Sequence, residues 1–202
     1  MPDIDPITAA KSAADAVERV DLAVTDAIDD HRDRPLVKAA GWLSEIGDQP
    51  PLRALTLGAA AVGLARRDPR LTRNGVRMFA AHSLATDIKN LIKRSIDRTR
   101  PDQALDHEYR MEPGDSHEHE LSSFPSGHTA GTLAVTQALA RDYPGSRAAG
   151  LVASIAIAAI QVPRAKHFVS DIVVGAVIGW AAEQLSSRLL DRTEAWLATT
   201  DS

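Results

Sequence analysis

Three short segments of the sequence combine cationic side chains and histidines at spacings that suit phosphate chemistry. They are residues 93–101, 124–128 and 161–171. A phosphate ester is activated when its negative oxygens are neutralised, which an ammonium, a guanidinium fork and the backbone N–H groups at a helix start can all do. Four residues of the first two segments suit that role: Lys93, Arg100, Ser126 and Gly127. We therefore expect a phosphate-binding site where these segments meet.

Two histidines can supply the remaining chemistry of phosphate transfer. A neutral imidazole attacks phosphorus effectively when a carboxylate holds its other nitrogen. His167 and Asp171 are four residues apart, which places them on one face of a helix that begins near Phe168. His128 remains to protonate the leaving oxygen as a general acid. Taken singly, Lys93 and Arg100 are better explained as solvated helix ends, and each histidine as a capped or core side chain. The interpretation therefore depends on their combination.

In their order and separation, the three segments resemble the signature of the type-2 phosphatidic acid phosphatase (PAP2) and vanadium haloperoxidase superfamily. The matching positions are Lys93 with Arg100-Pro101, Pro125-Ser126-Gly127-His128, and His167 with Asp171. The resemblance extends from about Leu52 to Leu190. It implies that His167 is the nucleophile that forms a phosphohistidine, that Asp171 orients it and that His128 is the acid. It assigns the phosphate oxygens to Lys93, Arg100, Ser126 and Gly127.

The third segment departs from the family pattern at one cationic position. Where the family has Ser-Arg, this chain has Ile160-Gln161, and the nearest arginine is Arg164, three residues before His167. On a helix, a residue three positions before His167 lies about 60° around the axis from it, and one six positions before lies about 120° away. One hypothesis is that Arg164 replaces the family arginine as a phosphate ligand. The other is that Arg164 is a solvated residue at a helix end.

The resemblance implies a metal-independent phosphatase that hydrolyses a phosphomonoester or a diphosphate. The family's substrates are lipid phosphates, so the expected partner is a phosphorylated lipid or a small phosphate ester. Two alternatives stay open. One is a vanadate-dependent haloperoxidase, which a length of 202 residues disfavours. The other is a catalytically impaired helical membrane protein, suggested by the missing arginine at position 161. We expect no cofactor, with vanadate as an inhibitor, or as the cofactor in the haloperoxidase alternative.

The sequence also contains a run of residues that could bind a metal ion. The run His117-Glu118-His119-Glu120 contains residue types that bind divalent ions. Its i, i+2 spacing in a polar loop is more typical of solvated sequence, so we expect no metal there. Cysteine is absent, which excludes thiolate ligands, thiolate nucleophiles and disulfides. A net charge of −4, without basic runs interleaved with aromatics, makes nucleic acid an unexpected partner.

Helices separated by proline and glycine breakers are expected to position the three segments. Only 4% of the residues are aromatic, and the alanine-rich apolar content favours close helix packing over a β-sandwich. The predicted helices cover residues 5–30, 35–46, 52–65, 72–96, 127–141, 146–162 and 169–190, with 102–123 as an exposed loop. We predict an all-α bundle of about six helices with the active site at one end. Residues 1–34 form an amphipathic N-terminal helix, and 35–202 the PAP2-like helical phosphatase domain.

Two of the predicted helices carry apolar residues along one face. In the N-terminal helix these include Val17, Val20 and Val24. In the helix over 72–96 they are Val76, Phe79, Ala80, Leu84, Ile88, Leu91 and Ile92. Such a stripe is typical of an amphipathic helix. The N-terminal twenty residues carry charges throughout and lack an apolar stretch typical of a cleaved secretory signal.

Two features of the sequence give opposite indications about whether the protein is integrated in a membrane. The apolar runs 54–65, 148–161 and 172–182 are shorter than the roughly eighteen residues that indicate a transmembrane helix. By contrast, five arginines cluster at one turn between helices, at 66, 67, 70, 73 and 77, and the acid-rich loop over 102–123 lies at the opposite end, which is a positive-inside pattern. We expect an integral membrane protein with its active site on the non-cytoplasmic side. A soluble cytoplasmic bundle is the alternative.

Overall fold

The computed structural model describes residues 5–104, 108–116 and 118–200, and within them the chain is almost entirely helical. The helices are α1 (Pro6–Ile28), α2 (Pro35–Ser44), α3 (Gln49–Arg66), α4 (Pro69–Lys93), α5 (Pro101–Ala104), α6 (Gly127–Asp142), α7 (Arg147–Ile160) and α8 (Val169–Thr200). Strands β1 (Ile96–Arg98) and β2 (Met111–Pro113) form a small antiparallel sheet. The prediction of an all-α fold is confirmed.

Helix boundaries differ from the predicted ones where proline and turn chemistry decide them. Pro50 and Pro51 lie in the first turn of α3 rather than before it, because proline lacks only an N–H that has no helical partner at that position. Helix α4 starts after Asp68, whose carboxylate accepts a hydrogen bond from the N–H of Leu71 at 3.0 Å. It ends at Lys93, since the chain then enters β1 at Ile96.

The segment predicted as an exposed loop, 102–123, has more structure than its composition indicates. It contains α5, strand β2 and a 3₁₀ turn over His119–Leu121. Ile96 pairs with Pro113 and Arg98 with Met111 in the small sheet. This pairing ties the segment that follows α4 to the segment that precedes α6.

Helices α4, α6 and α8 form the centre of the bundle and pack through small residues. The core alanines are Ala81 and Ala85 of α4, Ala130, Ala134 and Ala138 of α6, and Ala182 of α8. Helices α6 and α8 are in backbone contact, since a Cβ atom added to Gly179 would lie 2.4 Å from the carbonyl oxygen of Ala130. This contact brings the first turns of α6 and α8 together at one end of the bundle.

Beside the alanine-rich core, several helices expose apolar residues and bury polar ones. The predicted apolar stripe of α4 is divided, since Val76 and Leu91 are 45% and 69% exposed. Three further members of the stripe pack against the core: Leu84, Ile88 and Ile92. The buried face of α4 also includes polar residues, among them Asn74 and His82. On α1, Val17 and Val20 are exposed. Among the described residues, no helix combines enough length with enough apolar sequence to cross a bilayer.

The arginine cluster between α3 and α4 is partly neutralised in the fold. Arg73 contacts Glu194 at 2.6 Å and Asp191 at 3.1 Å. The guanidinium of Arg77 lies 2.6 Å from Asp191. Carboxylates of α8 therefore balance part of the positive charge that the sequence places at this end of the bundle.

Candidate active site

A cavity of about 320 Å³ opens at the end of the bundle where α4 ends and α6 and α8 begin. Six of the predicted site residues line it: Lys93, Arg100, Gly127, His128, Arg164 and His167. The other two, Ser126 and Asp171, are fully buried and do not appear in its wall. A larger cavity, of about 600 Å³, lies beside the α3–α4 turn and contains none of the predicted site residues.

Lys93 and Arg100 place two basic groups in the cavity wall. Lys93 is the last residue of α4, and its ammonium donates to the carbonyl oxygen of Ser122. Burial, together with the neighbouring charges of Arg100 and Lys89, lowers the pKa of Lys93 to about 7. The Nε of Arg100 donates to the carbonyl oxygen of His119 at 2.8 Å. These backbone contacts hold both cations in place before any anion binds.

Ser126 is the N-cap of α6, and Gly127 is the first residue of that helix. The hydroxyl of Ser126 accepts a hydrogen bond from the N–H of Thr129 at 3.5 Å. The backbone N–H of Ser126 donates to the carbonyl oxygen of Asp171 at 3.1 Å. Gly127 lies in the cavity wall, and the N–H groups at the start of a helix are suited to binding an anion. The structure thus places Gly127 at the cavity and Ser126 one layer behind it.

The ring of His167 is held in one tautomer by a backbone carbonyl. Its Nδ1 lies 2.8 Å from the oxygen of Ser123, which can only accept, so Nδ1 carries the proton and Nε2 keeps its lone pair. Burial lowers the pKa of His167 to about 4, although the carboxylate of Asp171 opposes the shift. The imidazole is therefore neutral at pH 7.

Asp171 lies farther from Nδ1 of His167 than the sequence led us to expect, at 3.7 Å. Its carboxylate is occupied by other donors: the N–H of Phe168 at 2.8 Å, the hydroxyl of Ser123 and the guanidinium of Arg98 at 2.5 Å. Burial favours the neutral acid, but His167 and Arg98 outweigh it, so the pKa of Asp171 is lowered. Asp171 therefore lies beside His167 as a nearby negative charge, and Ser123 contacts both residues.

Arg98 is a site residue that the sequence did not reveal. It is 2% exposed, and its guanidinium lies 4.3 Å from the centre of the Phe168 ring. No spacing rule separates it from the other basic residues of the segment 93–101, because a buried arginine and a solvated one have the same local sequence pattern. Its partners come from distant parts of the chain.

His128 lies in the first turn of α6 and faces the cavity. Its Nε2 is buried without a hydrogen-bond partner among the described residues, and Glu45 is 3.9 Å away. Burial lowers the pKa of His128, although the carboxylates of Asp48 and Glu45 oppose this. A buried imidazole nitrogen with no protein partner is available to a ligand in the cavity.

Arg164 is part of the cavity wall and is held by residues of α2 and the turn after it. Its guanidinium lies 2.6 Å from Glu45 and donates to the hydroxyl of Ser44 at 2.9 Å and to the amide oxygen of Gln161 at 3.4 Å. Gln161 is fully buried, and its Nε2 donates to Ser44 and to the carbonyl oxygen of Ile157. Since both of its N–H groups are used, Gln161 supports Arg164 instead of offering a donor to phosphate.

Lys89 is a further cavity residue that went unnoticed in the sequence. It precedes Lys93 by one helical turn on α4 and lines the same cavity, and burial lowers its pKa. The i, i+4 relation to Lys93 could have indicated it, because residues at that spacing share a helix face. Lys166, Asp48 and Glu45 also line the cavity.

The run considered for metal binding is only partly covered, since His117 lies outside the described residues. His119 lines the cavity and accepts from Arg100 through its carbonyl oxygen. Within 5–104, 108–116 and 118–200, no group of three or more histidines and carboxylates is arranged to hold a metal ion.

Comparison with known proteins assigns this architecture to a family. The model of the PAP2 superfamily matches residues 74–194. The lipid A 1-phosphatases of Rhizobium etli and Rhizobium johnstonii are 32% and 35% identical to this chain over 108 residues. Those residues are 52% of this chain and only 45% and 43% of the respective relatives.

Two solved structures share the fold. The transmembrane PAP2-type phosphatidylglycerolphosphate phosphatase of Bacillus subtilis superposes with a TM-score of 0.67 at 22% identity, covering 88% of this chain and 87% of that one. LpxE of Aquifex aeolicus gives a TM-score of 0.58 at 18% identity, covering 84% and 95%. At these identities the likeness concerns the fold.

Proposed function

The chain belongs to the PAP2 superfamily, and on that premise we propose that it hydrolyses a lipid phosphate through a phosphohistidine on His167. One observation carries the proposal: a neutral imidazole, its Nδ1 proton fixed on Ser123, lines a cavity surrounded by cations. Five cationic side chains line this cavity against two carboxylates. They are Lys89, Lys93, Arg100, Arg164 and Lys166, against Glu45 and Asp48. The excess positive charge favours an anionic substrate.

In the proposed first step, Nε2 of His167 attacks the phosphorus, forming a P–N bond as the P–O bond to the alcohol breaks. His128 gives its proton to the leaving oxygen. The proton stays on Nδ1. The carbonyl oxygen of Ser123 and the nearby negative charge of Asp171 stabilise the imidazole as it becomes cationic. Bound phosphate favours the protonated form of His128, because a dianion raises the pKa of an adjacent imidazole.

In the second step a water molecule replaces the alcohol. His128, now neutral, takes a proton from the water, whose oxygen attacks phosphorus as the P–N bond breaks. Inorganic phosphate leaves and His167 returns to its neutral form. Lys93, Arg100 and the N–H groups of α6 neutralise the phosphoryl oxygens throughout. The proposed reaction therefore needs no metal ion.

We propose that Arg164 supplies the third cation in place of the family arginine absent at position 161. Its guanidinium is in the cavity wall and 20% of its side chain is exposed. Gln161 holds it from one side and Glu45 from the other. A substrate phosphate then competes with Glu45 for Nη2, so binding exchanges one ionic contact for another.

The lipid nature of the substrate is supported by the apolar exterior of the bundle. On α7, Leu151, Val152 and Ile155 are 48%, 66% and 58% exposed, and on α8 Val173 and Val177 are 57% and 59% exposed. Outward apolar faces of this extent favour contact with lipid. We propose that these faces associate with a membrane, with the catalytic end on the non-cytoplasmic side. Recovery of the full-length protein in a high-speed supernatant without detergent would contradict this.

Phosphate release tests the proposal directly. We would measure it for phosphatidic acid, phosphatidylglycerol phosphate, a prenyl diphosphate and soluble phosphomonoesters, in detergent with excess EDTA, using His167→Ala as the control. Turnover of a lipid phosphate that persists in EDTA and stops with vanadate supports the proposal. Turnover restored only by a divalent cation contradicts it, and halide oxidation with added vanadate would indicate the haloperoxidase.

A further inference from the structure

Helix α1 meets the rest of the fold through polar side chains. Asp21 and Thr25 are 2% and 3% exposed, whereas Val17 and Val20 on the same helix are 49% and 59% exposed. Burying a carboxylate is unfavourable unless it is paired. The contact is therefore poorly suited to simple hydrophobic docking, and the partners of Asp21 are what distinguish it.

Those partners are the residues that hold the catalytic carboxylate. Arg98 lies between two aspartates, with Nη2 2.8 Å from Oδ2 of Asp21 and Nη1 2.5 Å from Oδ1 of Asp171. Asp21 also accepts from the N–H of Ser170 at 3.1 Å, and the hydroxyl of Ser170 contacts both Asp21 and Arg98. All three charged side chains are at most 2% exposed. The result is a buried Asp21–Arg98–Asp171 chain that runs from α1 to the first turn of α8.

We propose that Asp21 is a positioning residue of the active site, which acts on His167 through Arg98 and Asp171. This inference rests on the proposed function of His167. Asp21 precedes the family-matched residues 74–194, so it makes α1 part of the catalytic apparatus. The resemblance in sequence does not indicate this role.

The geometry gives a reason why the outer aspartate matters. Asp171 uses Oδ1 for Arg98 and Oδ2 for Phe168 and Ser123. Oδ2 is also the atom 3.7 Å from Nδ1 of His167. Without the negative charge of Asp21, Nη2 of Arg98 loses its ionic partner, and a guanidinium fork prefers to bind one carboxylate through both nitrogens. Arg98 would then draw Oδ2 away from the histidine side. Asp21 prevents this by occupying Nη2.

A double-mutant cycle separates positioning from simple anchoring of α1. We would measure kcat, KM and thermal unfolding for Asp21→Asn, Asp171→Asn and the double variant, all as full-length protein in detergent. Thr25→Val is the matched control, because Thr25 is equally buried on α1. Asp21→Asn is expected to lower kcat by roughly tenfold or more, as loss of an outer partner of a catalytic group does. KM should change little, because neither Asp21 nor Arg98 lines the cavity.

If Asp21 acts through Asp171, its loss adds little in the Asp171→Asn background, whereas independent effects multiply. The proposal is overturned by a kcat within twofold of wild type, by an equal loss in Thr25→Val, or by multiplicative effects in the double variant. If Asp21→Asn does not fold, Asp21→Glu keeps the charge and displaces Arg98 by one methylene. A kcat below wild type at unchanged KM then supports the proposal, and a wild-type kcat overturns it. A wild-type protein without phosphatase turnover, or a fully active His167→Ala, would instead refute the proposed function.

Discussion

Ser123 contacts both members of the His167–Asp171 pair, its carbonyl oxygen 2.8 Å from Nδ1 of His167 and its hydroxyl on the carboxylate of Asp171. The backbone of Ser123 thus sets the tautomer of His167, while its side chain binds the carboxylate of Asp171. The sequence pattern predicts the histidine and the aspartate four residues apart. It does not indicate the serine between them in space.

Changing Asp171 should impair catalysis more than changing Ser123. Asp171→Asn removes the negative charge beside the imidazolium that forms in the reaction, so we expect kcat to fall roughly a hundredfold or more. Ser123→Ala keeps the carbonyl that fixes the tautomer and loses only one buried hydrogen bond, worth about 1 kcal/mol of stability. Steady-state kinetics of the two variants, with thermal unfolding as a control, would test the order. A Ser123→Ala variant as impaired as Asp171→Asn would contradict it.

With p-nitrophenyl phosphate, whose leaving group needs no proton from His128, the dependence of kcat/KM on pH should have an alkaline limb set by Lys93. The pKa of Lys93 is lowered to about 7 by burial, so the free enzyme loses this phosphate ligand as the pH rises through that value. His167, whose pKa is lowered to about 4, stays neutral across the same range and loses its lone pair only when the pH falls toward 4. We expect Lys93→Arg to move the alkaline limb to higher pH, because a guanidinium stays protonated. An unchanged limb would exclude Lys93 as its source.

Arg164 can be compared directly with Arg100. A charge-assisted hydrogen bond contributes about 1.5–3 kcal/mol, or about tenfold to a hundredfold in rate, so Arg164→Ala should lower kcat/KM by at least that lower factor. Gln161→Ala should have a smaller effect in the same direction, because it only loosens Arg164. If kcat/KM of Arg164→Ala stays within twofold of the wild-type value while that of Arg100→Ala falls strongly, Arg164 is not a phosphate ligand.

The contact between α6 and α8 predicts a difference between two glycine substitutions. In Gly179→Ala the new Cβ would lie 2.4 Å from the carbonyl oxygen of Ala130, a backbone atom that cannot move aside. We expect about 1–3 kcal/mol of destabilisation. Gly58 on α3 has no atom within 4 Å of such a Cβ, so Gly58→Ala should raise stability by about 0.5–1 kcal/mol. Denaturant unfolding in detergent measures both, and equal effects would contradict the packing described.

Motif spacing predicts the inner wall of the site well because each motif is short and its residues lie at helix ends. Lys93, Gly127, His128 and His167 all line one cavity as expected. The Asp21–Arg98 pair could not be predicted, since its members are 77 residues apart and leave no local pattern.

The orientation of α4 in the bundle could not be predicted from the sequence either. Part of its apolar stripe faces outward at Val76 and Leu91, part packs against the core, and the helix also buries Asn74 and His82. Periodicity locates such a face without saying whether it meets a core or a lipid. The start of α3 shows a third limit, because Pro50 and Pro51 are breakers inside a helix but acceptable in its first turn.

The central claim is that His167 becomes phosphorylated, and trapping the phosphoenzyme tests it most directly. With p-nitrophenyl phosphate, whose leaving group needs no proton, the His128→Ala variant should form the intermediate and hydrolyse it slowly, since the general base for water is gone. After rapid quenching, mass spectrometry should find phosphate on His167 in a bond that is stable to base and labile to acid, as a phosphoramidate is. An acid-stable phosphoserine at Ser126, or turnover with no phosphate on His167 at any time point, would contradict the mechanism.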